Sequence, residues 1–124
     1  MKFVFFILLF GTFLFANALA EDKKLVMLFV KLEHCSWCKK MEKEVFLDKD
    51  VQAILQKQFV IKEVLYGSDG LPDFIKPKHF PTTYVLSIDG SKVVDSLAGY
   101  REKEKFLKFF SGTYAYEMEG DGEL

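Results

Sequence analysis

A continuous apolar run, Leu25-Val26-Met27-Leu28-Phe29-Val30, leads almost directly into Cys35-Ser36-Trp37-Cys38, and beyond it the apolar spacing turns helical. A run of strand length without alternation suits a central strand covered on both faces. From Trp37 onward, Cys38, Met41 and Val45 fall on one helical face. The order is therefore strand, sharp turn, helix, with both cysteines at the turn.

The remaining pattern extends this unit. Asp48 is a good N-cap for a second helix carrying Val51, Ile54 and Leu55. Phe59 to Leu65 reads as the next strand, and Tyr66 to Phe80 as a loop rich in Gly, Asp and Pro with a short helical turn near Asp73-Phe74-Ile75. Strands Thr83 to Ile88 and Lys92 to Leu97 flank Asp89-Gly90, which favours a tight antiparallel hairpin. A last helix, from about Glu102 to Tyr114, would turn Phe106, Leu107, Phe110 and Tyr114 to the core. The sequence thus predicts an α/β chain ordered β-α-β then β-β-α. Residues 117–124 alternate Glu, Gly and Asp and read as a disordered acidic tail.

Met1-Lys2, the apolar stretch Phe3 to Phe15 and Ala18-Leu19-Ala20 have the three parts of a secretory signal: a positive start, an apolar middle and a small-residue cleavage site. We read residues 1–20 as a signal peptide and 21–116 as one small domain. An uncleaved membrane anchor is the alternative, disfavoured by Gly11, Thr12 and Asn17 within the apolar stretch. With 17 basic against 18 acidic side chains, the chain advertises no large basic face, and nucleic acid is not an expected partner.

The two cysteines are the only ones in the chain. So short a loop constrains little unfolded chain, which makes the pair a poor structural staple and a good reactive site. A cysteine at the first turn of a helix faces unsatisfied backbone N–H groups and the positive end of the helix dipole, and both favour thiolate over thiol. Cys35 is accordingly the expected nucleophile. It would attack a client disulfide, and Cys38, one turn further in, would then attack Cys35 sulfur and release the client.

Taken together, Cys35-Ser36-Trp37-Cys38 at a strand-to-helix turn, Phe80-Pro81-Thr82-Thr83 before a strand, the Asp-Gly hairpin, Gly99 and a final helix resemble the thioredoxin superfamily. The stretch from Cys38 through Met41-Glu42 to Val45-Phe46, Asp48 and Val51 is similar to the carboxy-terminal thioredoxin-like domain of the bacterial membrane reductase that supplies electrons to the periplasm. The resemblance implies a thioredoxin fold, with a central mixed sheet flanked by helices. It also implies a periplasmic thiol–disulfide oxidoreductase with no cofactor and no metal, a reducing or isomerising direction being preferred. Its partners would be protein thiols and disulfides of exported proteins, with a membrane electron donor or acceptor, and the protein would act as a monomer.

Pro81 matches the family's cis-proline, which faces the cysteines and receives an extended client segment at a strand edge. Trp37 and Phe80 are expected at the rim, where aromatic faces contact the client. His34, as a cation beside Cys35, would further stabilise the thiolate. The chain departs from thioredoxin in having His34 where Trp is usual, Ser36-Trp37 where Gly-Pro is usual, and Phe29 where a buried Asp manages the resolving cysteine's proton. Helical spacing puts Glu42 on the face of Cys38, and we expect it to accept that proton. Two other functions fit the same residues. A metal-binding chaperone would use the two cysteines with His34 and His79, although adjacent His34 and Cys35 are cramped for one ion. A redox-inactive client-binding module would keep the fold without the exchange.

Overall fold

The computed structural model describes residues 23–122, so the expected signal peptide lies outside the described residues. Strand β1 (Leu25–Lys31) occupies the interior of a four-stranded mixed sheet. It pairs in parallel with β2 (Phe59–Leu65) and antiparallel with β3 (Thr82–Leu86), and β4 (Val93–Ala98) closes the far edge, giving the order β2-β1-β3-β4. Helix α1 (Ser36–Met41) follows β1 and runs into a π-helical turn, Glu42–Phe46. Helix α2 (Lys49–Gln58) precedes β2, and α3 (Lys103–Gly122) ends the described chain. Among the described residues no helix is long and apolar enough to cross a membrane.

The unbroken apolar run of β1 has a direct cause: both of its faces are covered. Met27 and Phe29 join Met41, Val45, Phe106 and Phe110 in the main core on the helical side. Leu28 and Val30 point to the other side and pack with Val64, Ile75 and Leu86. That second face is covered by the segment between β2 and β3, which reads in sequence as a plain connection. Its Ile75 is buried, and Leu71 and Phe80 pack beside it. The helical turn expected at Asp73-Phe74-Ile75 is a single turn, closed by the Ile75 N–H donating to the Pro72 carbonyl at 3.0 Å.

Asp48 caps α2 as its sequence position predicts, accepting from the N–H groups of Asp50 and Val51 at 3.0 Å each. The π-helical turn was not legible. Its widened bond, Leu47 N–H to Glu42 O at 2.8 Å, accommodates one more residue than an α-turn. The adjacent Val45 and Phe46 within this turn are both buried.

The last helix corrects the sequence reading. It passes Tyr114 and continues to Gly122, through most of the segment expected to be a disordered tail. Tyr114 and Met118 pack against the main core, one helical turn apart and in line with Phe110. Met118 thus supplies apolar burial that the acidic composition masks. Thr113 donates to Asp95 on β4 at 2.7 Å and ties the helix to the sheet edge.

The hairpin turn is also wider than expected, spanning Ser87–Lys92, with Ser87 N–H bonded to Lys92 O at 2.9 Å and Gly90 at φ 74°. Its organising group is the Asp89 carboxylate, which accepts from Ser87 Oγ at 2.6 Å and from Ser91 Oγ and N at 2.8 and 3.1 Å. Hydrogen bonds from Ser87 and then Ser91 hold its pKa down to about 2. Because the folded value is depressed, this contribution to the turn is present above the ordinary carboxylate range and is lost as pH falls through about 2. Carboxyl-carbon NMR should show Asp89 titrating last among the exposed aspartates. A midpoint near the ordinary aspartate value would show that the turn is not held this way.

Candidate functional site

The site forms where β1 hands over to α1. His34 has φ 60°, a left-handed backbone conformation that His tolerates better than most residues, and it turns the chain sharply into the helix. Cys35 is then the N-cap of α1, with extended backbone. The Cys38 N–H donates to Cys35 Sγ at 3.2 Å, and the Lys39 N–H to the Cys35 carbonyl at 3.1 Å. The sulfur thus occupies the position where helix N–H groups stabilise negative charge.

Cys35 and Cys38 are joined as a disulfide, with Cα atoms 5.2 Å apart. The two are unequal in access: Cys35 is half-buried, while Cys38 is 2% exposed. No acidic side chain lies in the first turn, and Lys39 and Lys40 follow in the last. His34 stands exposed next to Cys35.

Phe80 and Pro81 reach the same end of the sheet. Their peptide bond is cis, and the Pro81 carbonyl accepts from the Gly99 N–H at 2.7 Å. Gly99, at φ 83°, adopts a turn that few other residues would allow at the end of β4. Trp37, Phe80 and Tyr100, with His79, Ala98 and Gly99, line an open groove of about 580 Å³.

The groove wall is tied together by charge and aromatic contacts. The Trp37 and Tyr100 rings lie 5.5 Å apart, and the Lys40 ammonium sits 5.3 and 4.9 Å from their centroids. The Tyr100 hydroxyl donates to the Glu44 carboxylate, a bond that, with a smaller desolvation effect, raises its pKa above the ordinary value. On the other side, the Tyr66 ring packs at a tilt against Phe80, with centroids 5.1 Å apart. Tyr100 was missed in the sequence. Its only signal is its place directly after Gly99.

Glu42 follows α1 as expected, but its hydrogen-bonding partner is Lys31, at 3.3 Å, and not a cysteine. Lys31 also binds Glu63 at 3.3 Å. Partial burial alone would lower the Lys31 pKa. The hydrogen bonds to Glu63 and Glu42 outweigh it and leave the ammonium above its ordinary value. Phe29, where thioredoxins place an acid, is fully buried against Phe46 at 4.4 Å. Among the described residues, no group of three His, Cys, Asp or Glu side chains is arranged to hold a metal ion.

Comparison with solved structures shows the thioredoxin fold. The reduced periplasmic thioredoxin SoxS of Paracoccus pantotrophus superposes with a TM-score of 0.56 at 17% identity, covering 74% of this chain and 97% of that one. A thioredoxin from Thermus thermophilus gives 0.57 at 27% identity, covering 78% and 79%. The reduced DsbD C-terminal domain of Neisseria meningitidis gives 0.52 at 23% identity, covering 79% and 87%. No curated protein sequence matches the chain significantly. The fold and the Cys-x-x-Cys pair at its helix start support thiol–disulfide oxidoreductase activity. A family profile described as "Thioredox_DsbH: Protein of unknown function, DUF255" matches residues 8–121, and the chain belongs to that thioredoxin-like family.

Proposed function

We propose that the protein is an exported, periplasmic oxidoreductase that reduces or isomerises disulfides of other exported proteins through Cys35 and Cys38. The observation that carries this reading is the inequality of the two sulfurs. Cys35 caps the helix and is accessible, accepting a backbone N–H at 3.2 Å, while Cys38 is buried one turn behind it. That is the arrangement needed for one cysteine to meet the client and the other to resolve the mixed disulfide.

Trp37, Phe80 and Pro81 would receive the client as an extended segment laid along the groove, with the backbone beside Pro81 as its docking edge. His34 would add positive charge near the Cys35 thiolate. Glu42, held by Lys31, would relay the Cys38 proton during release. The periplasmic setting draws support from the apolar N-terminal segment and from the likeness to a periplasmic thioredoxin. The reducing direction, a membrane electron donor and monomeric action are carried over from the resemblance of Cys38 to Val51 to the membrane reductase's domain.

The test is the equilibrium of the Cys35/Cys38 couple with glutathione, together with insulin reduction by the full exported protein in the presence of dithiothreitol. Insulin turnover with a potential near about −270 mV supports a reductant, and one near about −120 mV would overturn the direction in favour of an oxidant. No turnover at all would overturn the activity.

A further inference from the structure

Thr83 carries a polar group that neither the fold nor the groove uses. It is fully buried, and among the described residues its hydroxyl is the only buried one without a hydrogen-bond partner. The two other buried threonines are satisfied, Thr82 by the His79 carbonyl and Thr113 by Asp95. An unpaired hydroxyl in a core is unfavourable, and a valine of the same shape would avoid the cost. A polar group at such a place is a candidate for a role in the chemistry beside it.

The register places that hydroxyl on the face of the sheet that carries the helix of the cysteines. Thr83 pairs with Phe29 on β1 and Leu97 on β4, so the three side chains share one face of the sheet. Phe29 packs on Phe46, which identifies this face as the one covered by α1 and the π-helical turn. Met41 belongs to this core, and Cys38, three residues before it on the same side of α1, is buried as well. The groove joins Trp37 of α1 to Phe80, so the first turn of α1 lies beside Phe80-Pro81, and Thr83 is two residues further along β3. The charged groups at this end, Lys31, Glu42 and Glu63, are paired with one another.

We propose that the Thr83 hydroxyl is the hydrogen-bond donor for the Cys38 sulfur when the couple is reduced, a positioning role in the release step. This rests on the oxidoreductase reading above. In release, the Cys38 thiol loses its proton, the thiolate attacks Cys35 Sγ, the Cys35–Cys38 bond forms, and the bond from Cys35 to the client breaks. The client sulfur leaves as a thiolate and is protonated. The Cys35/Cys38 dithiol is oxidised by two electrons and the client disulfide is reduced by two. Thr83 gains and loses no proton in this sequence; it donates to the negative charge on Cys38 before that charge is consumed. A disulfide sulfur is a weak acceptor and a thiolate a strong one, which accounts for an unpaired hydroxyl in the oxidised protein.

Since the bond would favour the reduced form with Cys38 ionised, Thr83→Val should shift the glutathione equilibrium, measured at a pH above the Cys38 thiol pKa, toward the disulfide by about tenfold, equivalent to about 30 mV more negative. In a Cys35→Ser background, it should also raise the Cys38 thiol pKa by about one unit, read by ultraviolet thiolate absorbance. Thr83→Ser, which keeps the hydroxyl, should stay within about twofold of the parent in both measurements. Circular dichroism of oxidised Thr83→Val should show a fold that melts no lower than the parent, since an unpaired hydroxyl has been removed. Unchanged potential and titration in Thr83→Val, or equal shifts in Thr83→Ser, would overturn the proposal. Both readouts use glutathione or direct titration and no client, so they remain decisive if the wild-type protein fails to reduce insulin. That failure would count against the proposed function alone.

Discussion

Cys35→Ser is expected to abolish disulfide exchange completely, whereas Cys38→Ser should keep the first attack and accumulate the protein as mixed disulfides with its clients. The prediction follows from access and helix position together. A client disulfide can reach Cys35, which is half-buried two residues before the groove residue Trp37, but not Cys38, which is 2% exposed. At the N-cap, Cys35 sulfur faces the Cys38 N–H at 3.2 Å and the start of the helix dipole, and both lower the cost of its thiolate. Cys38 lies one turn further in, within the helix and shielded from a client disulfide. Non-reducing gels and mass spectrometry of the Cys38→Ser protein incubated with exported proteins should reveal adducts at Cys35. Faster alkylation of Cys38 than of Cys35 in the reduced protein at low pH would reverse the two roles.

The largest structural effect should come from Phe106→Ala. Phe106 is fully buried where α3 meets the main core, with ring centroids 5.3 Å from Phe46 and 4.7 Å from Phe110. Truncating a buried phenylalanine costs about 3–5 kcal/mol through lost transfer free energy and the cavity left behind. Small domains have a total stability of only about 5–15 kcal/mol. The melting temperature should therefore drop by on the order of 20 °C, and the cysteine site should lose its support, because Phe46 belongs to the π-helical turn that continues α1. Tyr116→Ala is the control: its side chain is 76% exposed, and the change should stay within about 0.5 kcal/mol. Equal thermal shifts for the two variants in calorimetry would show that α3 does not anchor the core as described.

Much of this architecture was legible because its signals are local. The strand character of β1 is written in its unbroken apolar run, the start of α2 in Asp48, and β2 in Phe59 to Leu65. The reactive pair was legible for the same reason, since a cysteine's proximity to the first turn of a helix depends on only a few neighbouring residues. Element ends were less so. The hairpin strands shifted by one or two residues because three groups converge on Asp89 and widen the turn, and α3 outran its acidic composition because Met118 finds the core.

What the sequence by itself determined is the fold class, the order of the elements and the identity of the two sulfurs, because periodicity, capping and Cys-x-x-Cys spacing act within a single turn or strand. Only the tertiary structure decided the partners. Sheet register set Thr83 opposite Phe29, the end of β1 delivered Lys31 to Glu42 and Glu63, and the turn at Gly99 brought Tyr100 to Trp37. Each of these contacts joins residues far apart along the chain, and its existence depends on how whole strands and helices pack, a property that no short window of sequence contains.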